Sequence, residues 1–256
     1  MTERATDDER LATELAERAG AALLHLRAST GLAGRELKDA ADAAAQSLLA
    51  EALATARPRD AVLSEEAADD PVRLAADRVW IIDPLDGTRE FSEGRADFAV
   101  HVALWQRGRG LTAGAVAMPG AGRAFTTAEP VRSPAPARTR IRLAVSRSRP
   151  PALVAALAEA LDAELVPMGS AGVKAMSVVT GETDAYVHGG GQYEWDSAAP
   201  VAVAHAAGLH TSRLDGGPLE YNRESPWLPD LVICRPELRD RLLATIAATA
   251  ATEGAA

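Results

Sequence analysis

A short apolar run followed at once by acidic residues is the feature that most constrains this chain. In the stretch WIIDPLDGTREF, residues 80–91, the apolar side chains directly precede Asp83 and Asp86. An apolar run such as VWII, followed by turn-forming residues, is typical of a buried strand, and Asp-Pro and Asp-Gly favour a turn. We therefore predict that both aspartates lie at the carboxyl end of a strand, where α/β proteins often bind ligands. A plain surface turn is the alternative that these residues leave open.

The spacing of the two aspartates suits a hard cation. Because Pro84 restricts the turn, the carboxylates of Asp83 and Asp86 can converge, and the Leu85 carbonyl can face the same point. Mg²⁺ prefers carboxylate and carbonyl oxygens and often completes its coordination with a substrate phosphate. The stretch therefore predicts a magnesium site that receives a phosphate ester.

Other polar residues extend this hypothesis without proving it. Gly87 allows a sharp turn, and Thr88 then offers a hydroxyl beside the metal. The stretch LSEE carries Glu65 and Glu66 after a predicted strand, although an acidic pair there is often a solvated surface feature. Asp196, in EWDSAAP, could equally be an ordinary helix N-cap. Local reasoning alone does not connect these three places.

The order of predicted elements indicates two lobes. Amphipathic helices are expected over residues 7–28 and 39–56, and the stretches DAVLSEE, RVWII, DFAVHVALW, GLTAGAVAM and GRAFTT follow as strands, which is an α+β pattern. After the proline-rich AEPVRSPAPART, strands and helices alternate from RIRLAVS to a C-terminal helix, which favours an α/β lobe. We predict lobes of residues 1–136 and 137–256.

Composition narrows the partners and the compartment. A net charge of −9 argues against a nucleic-acid polymer as partner, and an acidic protein needs metal ions or a local basic patch to hold an anion. The N-terminus lacks the pattern of a secretory signal, no window has eighteen uninterrupted apolar residues, and the single Cys234 cannot form an intrachain disulfide. We therefore expect a cytoplasmic protein that does not span a membrane.

Three motifs in one order carry a family resemblance. LSEE, WIIDPLDGTREF and EWDSAAPVAVAHAAG resemble the signature motifs of the inositol monophosphatase superfamily of Mg²⁺-dependent, lithium-sensitive phosphatases. The resemblance covers essentially the whole chain. It implies a layered αβαβα sandwich, with an active site between the lobes and two or three Mg²⁺ ions.

The resemblance also implies a set of metal ligands. Glu65, Asp83 and the Leu85 carbonyl would bind the first ion, and Asp83, Asp86 and Asp196 would bind the second. Two such ions activate a water molecule at neutral pH and stabilise the leaving oxygen of a phosphate ester.

Three further residues receive catalytic roles from the same resemblance. Asp42, in LKDAADAAAQ, occupies the place of the acid that pairs with Thr88, although the sequence departs there from the usual V-T-x-A-D pattern of the family. Our hypothesis is that Thr88, polarised by Asp42, accepts a proton from the attacking water. Glu66 would support a third metal ion or a hydrogen bond. An exposed helix residue is the alternative for Asp42.

Two stretches point to the substrate. LAVSRS and MGSAGVKAM resemble segments of the CysQ-type 3′(2′),5′-bisphosphate nucleotidases. These enzymes remove the 3′-phosphate from 3′-phosphoadenosine 5′-phosphate, a by-product of sulfate assimilation. VWIIDPLDGTREF together with GGGQYEWDSAAP resembles the actinobacterial branch of that group. The resemblance implies that the rest of the nucleotide contacts Ser146, Arg147, Ser170, Gly172 and Lys174. A surface lysine whose stem lies along apolar residues is the alternative for Lys174.

Other positions complete the substrate hypothesis. Gly87, Thr88 and Asp196 are expected substrate contacts as well as parts of the metal site, and His188 is a candidate from the same loop region, with a structural role as its alternative. Inositol-specific members carry an acid where this chain has Gly189, which argues against inositol phosphate as the main substrate. Inositol monophosphatase and fructose-1,6-bisphosphatase activities stay open as alternatives, as does a non-catalytic nucleotide-binding relative. The protein is expected to be a monomer or a homodimer.

A basic stretch agrees with an anionic substrate. Six arginines occur from Arg132 to Arg149, and no acid occurs between Glu129 and Glu159. Arginine binds phosphate well. A solvated basic edge beside a linker is the alternative.

Overall fold

Two five-stranded sheets organise the chain in the computed structural model, which describes residues 6–132, 139–148 and 150–253. The first sheet contains, in spatial order, Ala61–Ser64 (β1), Arg78–Asp86 (β2), Ala99–Gln106 (β3), Gly110–Met118 (β4) and Arg123–Thr126 (β5). β1 and β2 are parallel, and the other neighbours are antiparallel.

Later strands form the second sheet and a short ribbon. These strands are Arg142–Ser146 (β6), Glu164–Met168 (β7), Ala185–His188 (β8), Gln192–Tyr193 (β9), His210–Ser212 (β10), Trp227–Leu228 (β11) and Leu231–Cys234 (β12). The second sheet has the order β10-β12-β8-β6-β7, and β9 pairs with β11 separately. In the second sheet β6 is parallel to β7 and β8, whereas β12 is antiparallel to its neighbours.

Helices cover both sheets and separate them. The α-helices are Asp7–Ser29 (α1), Gly34–Ala56 (α2), Thr88–Ser92 (α3), Ala152–Leu161 (α4), Ala171–Val179 (α5), Glu194–Ala206 (α6) and Arg239–Glu253 (α7). Short 3₁₀ helices are Pro71–Leu74, Pro119–Ala121 and Pro236–Leu238. α1 and α2 pack on the first sheet, α5 and α6 lie between the sheets, and α4 and α7 pack outside the second sheet. This confirms the expected αβαβα sandwich. Across the described residues, every helix is too short or too polar to span a bilayer.

The apolar run of β2 divides its side chains between two cores. Val79 and Ile81 belong to the central core around α5 and α6, whereas Trp80 and Ile82 belong to the core under α1 and α2. Successive residues of a strand point to opposite faces, so a sheet that is covered on both sides needs an uninterrupted apolar run. The sequence VWII therefore positions β2 as a buried strand with helices on both sides.

Several element boundaries differ from the expectations. α1 begins as expected, because the Thr6 hydroxyl accepts from the Glu9 amide (3.2 Å) and caps the helix. α2 begins at Gly34 rather than near residue 39, and no capping side chain marks its start. β2 continues to Asp86 instead of ending before the turn, and α3, β9, β10 and β11 were not predicted. The predicted lobe boundary lies in the segment 133–138, outside the described residues.

A buried arginine joins two loops that are distant in sequence to the start of α6. Arg73 is 1% exposed, and its guanidinium donates to both carboxylate oxygens of Asp69 (2.6 and 2.8 Å) and to Asn222 Oδ1 (2.9 Å). The amides of Asn222 and Arg223 donate in turn to the carboxylate of Glu194, in the first turn of α6. The network ties the loop after β1 to the start of α6.

We expect Arg73→Met to lower the free energy of unfolding by about 2–4 kcal/mol, because the substitution leaves buried acceptors without a donor. Urea denaturation measures the change. Arg35→Met is the matched control, since the Arg35 side chain is 92% exposed, and a change below about 0.5 kcal/mol is expected there. Equal stability of the two variants would contradict the structural role of Arg73.

Candidate active site

A β-bulge brings the two aspartates of β2 to the same face. Asp83 pairs with His101 and Asp86 pairs with Ala99, so three steps along β2 match two steps along β3. Residues three apart in a regular strand point to opposite faces, and one extra residue reverses this. Leu85 accordingly packs in the core under α1 and α2, while Asp86 contacts the N-terminus of α5.

Three carboxylates form a compact acidic group. Oxygen atoms of Asp83, Asp86 and Asp196 lie within 4.8 Å of one another. The Asp83 side chain is buried; its Oδ1 accepts from the Leu85 amide (3.0 Å), and its Oδ2 has no hydrogen-bond partner among the described residues. Asp196 is the third residue of α6 and accepts from the Tyr193 amide (2.7 Å). Tyr193, not Asp196, is the N-cap of α6, so the N-cap alternative for Asp196 is wrong. Asp196 stabilises the helix start from the third helical position and also reaches the acidic group.

Crowding of like charges changes the acidity of this group. Burial, followed by the charges of Glu65, Asp86 and Asp196, raises the pKa of Asp83 well above its usual range. Burial and the Asp86 carboxylate raise the pKa of Asp196 to about 7. Glu65 directly follows β1, and partial desolvation of its carboxyl group, followed by the Asp196 charge, raises its pKa to about 7.

The donor set fits a hard divalent cation. Carboxylate oxygens are the ligands that Mg²⁺ prefers, and the unpaired, buried Oδ2 of Asp83 is an acceptor that only a cation or a donor could satisfy. A bound cation would also relieve the repulsion between the carboxylates.

The threonine after the acidic turn makes a local contact. Gly87 has a φ of +89°, a value that favours glycine, and it precedes α3. The Thr88 hydroxyl donates to the Leu85 carbonyl (3.1 Å), and no hydrogen bond joins it to Asp42 within the part of the chain described here. The Thr88 hydroxyl is thus hydrogen-bonded to the carbonyl of its own turn, and its pairing with Asp42 stays a prediction. Burial, followed by the Glu66 charge, raises the pKa of Asp42 to about 7.

The N-terminus of α5 binds one of the three carboxylates. The Ser170 hydroxyl and the amides of Ala171 (3.1 Å) and Gly172 (2.7 Å) all donate to Asp86. A helix N-terminus favours a negative charge at this place. Ser170 and Gly172, predicted as substrate contacts, therefore touch a predicted metal ligand directly.

A cleft of about 630 Å³ opens beside the acidic group. Its lining includes Asp86, Gly87, Ser146, Ser170, Lys174, Tyr186, His188, Tyr193 and Asp196. The structure thus gathers at one opening seven of the residues that the sequence proposed for metal and substrate, and their roles stay predictions.

Lys174 is a buried cation of this cleft. Its side chain is 8% exposed, so the alternative of a surface lysine is wrong. Nζ donates to the Ser170 carbonyl (2.5 Å) and lies 5.3 Å from the centre of the Tyr186 ring. Burial lowers the pKa of Lys174, and the charges of Asp86 and other acids oppose that effect.

Arg147 differs from the expectation of a free phosphate-binding cation. Its guanidinium donates to Glu90 (3.0 Å) and to Glu93 (2.7 Å), both from the segment around α3. These carboxylates were not foreseen as partners, because they lie more than fifty residues away in sequence. Two carboxylates already compensate the charge of Arg147.

The basic stretch is also partly compensated. Arg140 donates to Asp162 (3.0 Å), so it is paired rather than free. Arg138 and Arg149 lie outside the described residues. The stretch therefore supports the substrate hypothesis less than its composition suggested.

Two positions near β8 fit structural explanations. Nε2 of His188 lies 3.2 Å from the Gly191 carbonyl, so the ring holds the loop while it lines the cleft. A side chain at Gly189 would meet Leu153 and Leu214 at 3.0 and 3.3 Å. The position where inositol-specific relatives carry an acid thus faces apolar side chains.

One residue beside the acidic group was missed in the sequence. His101 is fully buried on the face of β3 that points to the acidic group, and its Nε2 lies 3.3 Å from Asp86 Oδ2. A signal was present, because alternation along DFAVHVALW places this histidine on a strand face with Ala99 and Ala103.

Comparisons with known proteins agree with this geometry. The model of the inositol monophosphatase family matches residues 6–251. A Mycobacterium leprae protein named 3′-phosphoadenosine 5′-phosphate phosphatase is 52% identical, with 93% of each chain covered. The Escherichia coli 3′(2′),5′-bisphosphate nucleotidase CysQ is 36% identical, covering 73% of this chain and 80% of the relative. The crystal structure of CysQ from Bacteroides thetaiotaomicron aligns with a TM-score of 0.75 at 27% identity, over 89% of this chain and 97% of that one.

Proposed function

Because the chain belongs to the inositol monophosphatase family, we propose that it is a Mg²⁺-dependent phosphatase that hydrolyses the 3′-phosphate of 3′-phosphoadenosine 5′-phosphate to give AMP and phosphate. The observation that carries the proposal is the group of three converging aspartates at a cleft that also holds a buried lysine. The names of relatives at 52% and 36% identity support the nucleotide as the substrate.

The acidic group would hold two or three Mg²⁺ ions. Asp83, Asp86 and Asp196 are its central ligands, with Glu65 and the Leu85 carbonyl as further candidates. When bound, the ions would neutralise the phosphate dianion, lower the pKa of the attacking water and stabilise the leaving oxygen.

The protein's own residues would bind and orient the nucleotide. Lys174 is a buried cationic side chain in a cleft whose lining also includes the acids Asp86, Glu90 and Asp196, so it is suited to the phosphate that is not hydrolysed. Ser146, Ser170 and His188 line the same cleft and can supply hydrogen bonds to the phosphate, ribose or base. Arg147 stays a candidate for substrate contact only if the nucleotide competes with Glu90 for its guanidinium.

The proton of the attacking water would pass to Thr88 Oγ1 as this hydroxyl gives its own proton to the Asp42 carboxylate. We assign Asp42 as the carboxylate that polarises this hydroxyl, because a group with a pKa of about 7 can accept a proton near neutral pH. The Thr88 hydroxyl would have to leave the Leu85 carbonyl to serve in this way. Glu66 raises the pKa of Asp42 by its charge and so contributes to the same function.

We expect kcat/KM for phosphate release to be about a hundredfold higher for 3′-phosphoadenosine 5′-phosphate than for fructose 1,6-bisphosphate or inositol 1-phosphate, which corresponds to about 2.7 kcal/mol of differential transition-state binding. Steady-state phosphate release with saturating Mg²⁺ measures the ranking. Equal or better turnover of either sugar phosphate would keep the metal site and refute the substrate assignment.

Lys174→Met is the informative companion variant. If Lys174 binds the second phosphate of the nucleotide, the substitution lowers kcat/KM for the nucleotide much more than for inositol 1-phosphate, which has one phosphate. An equal loss of kcat/KM for both substrates would instead indicate that Lys174 stabilises the acidic group and does not bind the second phosphate.

A further inference from the structure

His101 connects the three segments that carry the acidic group. It lies opposite Asp83 in the pairing of β3 with β2, and its Nδ1 is 3.9 Å from Asp83 Oδ2. Its Nε2 is 3.3 Å from Asp86 Oδ2, and its Nδ1 is 3.1 Å from the carbonyl of Trp195, the residue before Asp196. One imidazole ring thus lies beside the side chains of Asp83 and Asp86 and beside the backbone of the residue before Asp196.

The hydrogen-bonding roles of the ring follow from its partners. A backbone carbonyl can only accept, so Nδ1 carries a proton and donates it to Trp195. This bond fixes the ring orientation and directs Nε2 toward Asp86. Nε2 has no hydrogen-bond partner within the described residues, although it is buried.

The space around the ring leaves little freedom. A Cβ atom on Gly172 would lie 2.1 Å from Nε2, so α5 approaches the ring as closely as only glycine permits. His101 is 0% exposed and therefore cannot relax toward solvent. Any smaller side chain would leave a gap between β3, α5 and α6.

We propose that His101 is a positioning residue that sets the separation of Asp86 and Asp196 by joining β3 to the first turn of α6. The inference rests on the proposed metal site, but it concerns the binding of the metal rather than the choice of phosphate ester. Replacing a residue that contacts a metal ligand, but not the metal itself, typically lowers metal affinity or activity by about 10- to 100-fold.

The test measures Mn²⁺ binding to the full-length protein by calorimetry without substrate, because Mn²⁺ shares the preference of Mg²⁺ for oxygen ligands. His101→Leu keeps most of the volume but loses the donor, and we expect it to raise the Mn²⁺ Kd by about 10- to 100-fold. His101→Asn retains a donor close to the place of Nδ1, and we expect its Kd within about threefold of the wild type.

Val102→Ala is the matched control for general damage to β3. Val102 is equally buried, but it packs in the core under α1 and α2, away from the acidic group. We expect this variant to lower the melting temperature and to leave the Mn²⁺ Kd unchanged. If His101→Leu does not fold, His101→Gln replaces it in the test. The glutamine amide lies one bond farther from the backbone than that of asparagine, so it cannot take the place of Nδ1.

An unchanged Mn²⁺ Kd in His101→Leu would overturn the proposal. A loss of affinity in Val102→Ala as large as that in His101→Leu would also overturn it, as would a His101→Asn variant that binds Mn²⁺ as weakly as His101→Leu. Failure of the nucleotidase proposal looks different. In that case the wild type binds Mn²⁺, His101 affects binding as expected, and 3′-phosphoadenosine 5′-phosphate is not hydrolysed.

Discussion

Asp83→Asn is expected to lower kcat/KM for phosphate release by about 10³-fold or more, which corresponds to about 4 kcal/mol of transition-state stabilisation. Asp83 is buried, shares the acidic group with Asp86 and Asp196, and has an unpaired Oδ2. An amide of the same size keeps the packing but removes a charged ligand, so the loss should come from metal binding. Phosphate release at increasing Mg²⁺ measures it.

The same substitution is expected to stabilise the metal-free protein. The folded pKa of Asp83 is raised, so the folded state holds its proton more tightly than the unfolded chain does. Stability is therefore greatest below the unfolded pKa and falls as the pH rises from about 4 toward the folded value. Since Glu65 and Asp196 have pKa values of about 7, the metal-free wild type should lose stability up to about pH 7.

Thermal melts in EDTA and in Mg²⁺ between pH 5 and 8 test this expectation. The wild type should melt lower at pH 7.5 than at pH 5 without metal, and Mg²⁺ should restore its melting temperature. Asp83→Asn should reduce both effects. Asp77→Asn is the control, since that side chain is 86% exposed just before β2. The metal site would be refuted if Asp83→Asn kept the wild-type kcat/KM. It would also be refuted if Mg²⁺ left the melting temperature of the wild type unchanged.

Thr88→Ala is expected to lower kcat by about 10²-fold, or about 2.7 kcal/mol, with the Mg²⁺ affinity retained. The hydroxyl would accept the proton of the attacking water while it gives its own proton to Asp42, and alanine cannot. Thr88→Ser is the conservative control and should keep most of the activity. A variant that loses Mg²⁺ binding but keeps turnover would overturn this role.

The Asp42–Thr88 partnership needs a separate measurement, because the two side chains are not hydrogen-bonded in the structure. Asp42→Asn, Thr88→Ala and the double variant form a mutant cycle. If the two residues act as a unit, the double variant is no slower than Thr88→Ala alone. Additive losses would show that Asp42 acts elsewhere, for example through the nearby Glu66.

Much of the fold was predictable because it depends on local patterns. The run VWII had to be a buried strand, and the helical spacing of apolar residues located α1 closely. The predicted boundaries were least accurate for helices whose ends carry no local sequence signal. α2 begins at Gly34 without a capping side chain, and the short α3 follows a turn that resembles any other Asp-Gly turn.

The candidate site was predictable from motif resemblance but not from spacing alone. Two aspartates three residues apart share a face only because of the bulge in β2, and a bulge is a property of strand pairing. Asp196 joins them because α6 packs against the first sheet. Arg147 shows the opposite case, since a residue predicted to contact the nucleotide is paired with Glu90 and Glu93.

The sequence by itself therefore determined the buried strand and its acidic end, because periodicity and residue type act over a few neighbouring positions. The layered fold was predictable only from the motif resemblance. Only the tertiary structure decided that Asp83, Asp86 and Asp196 converge, that Lys174 is buried beside them, and that His101 lies behind them. Those relations join residues far apart in the chain. They depend on strand register, helix packing and the desolvation of charge, which no local pattern contains.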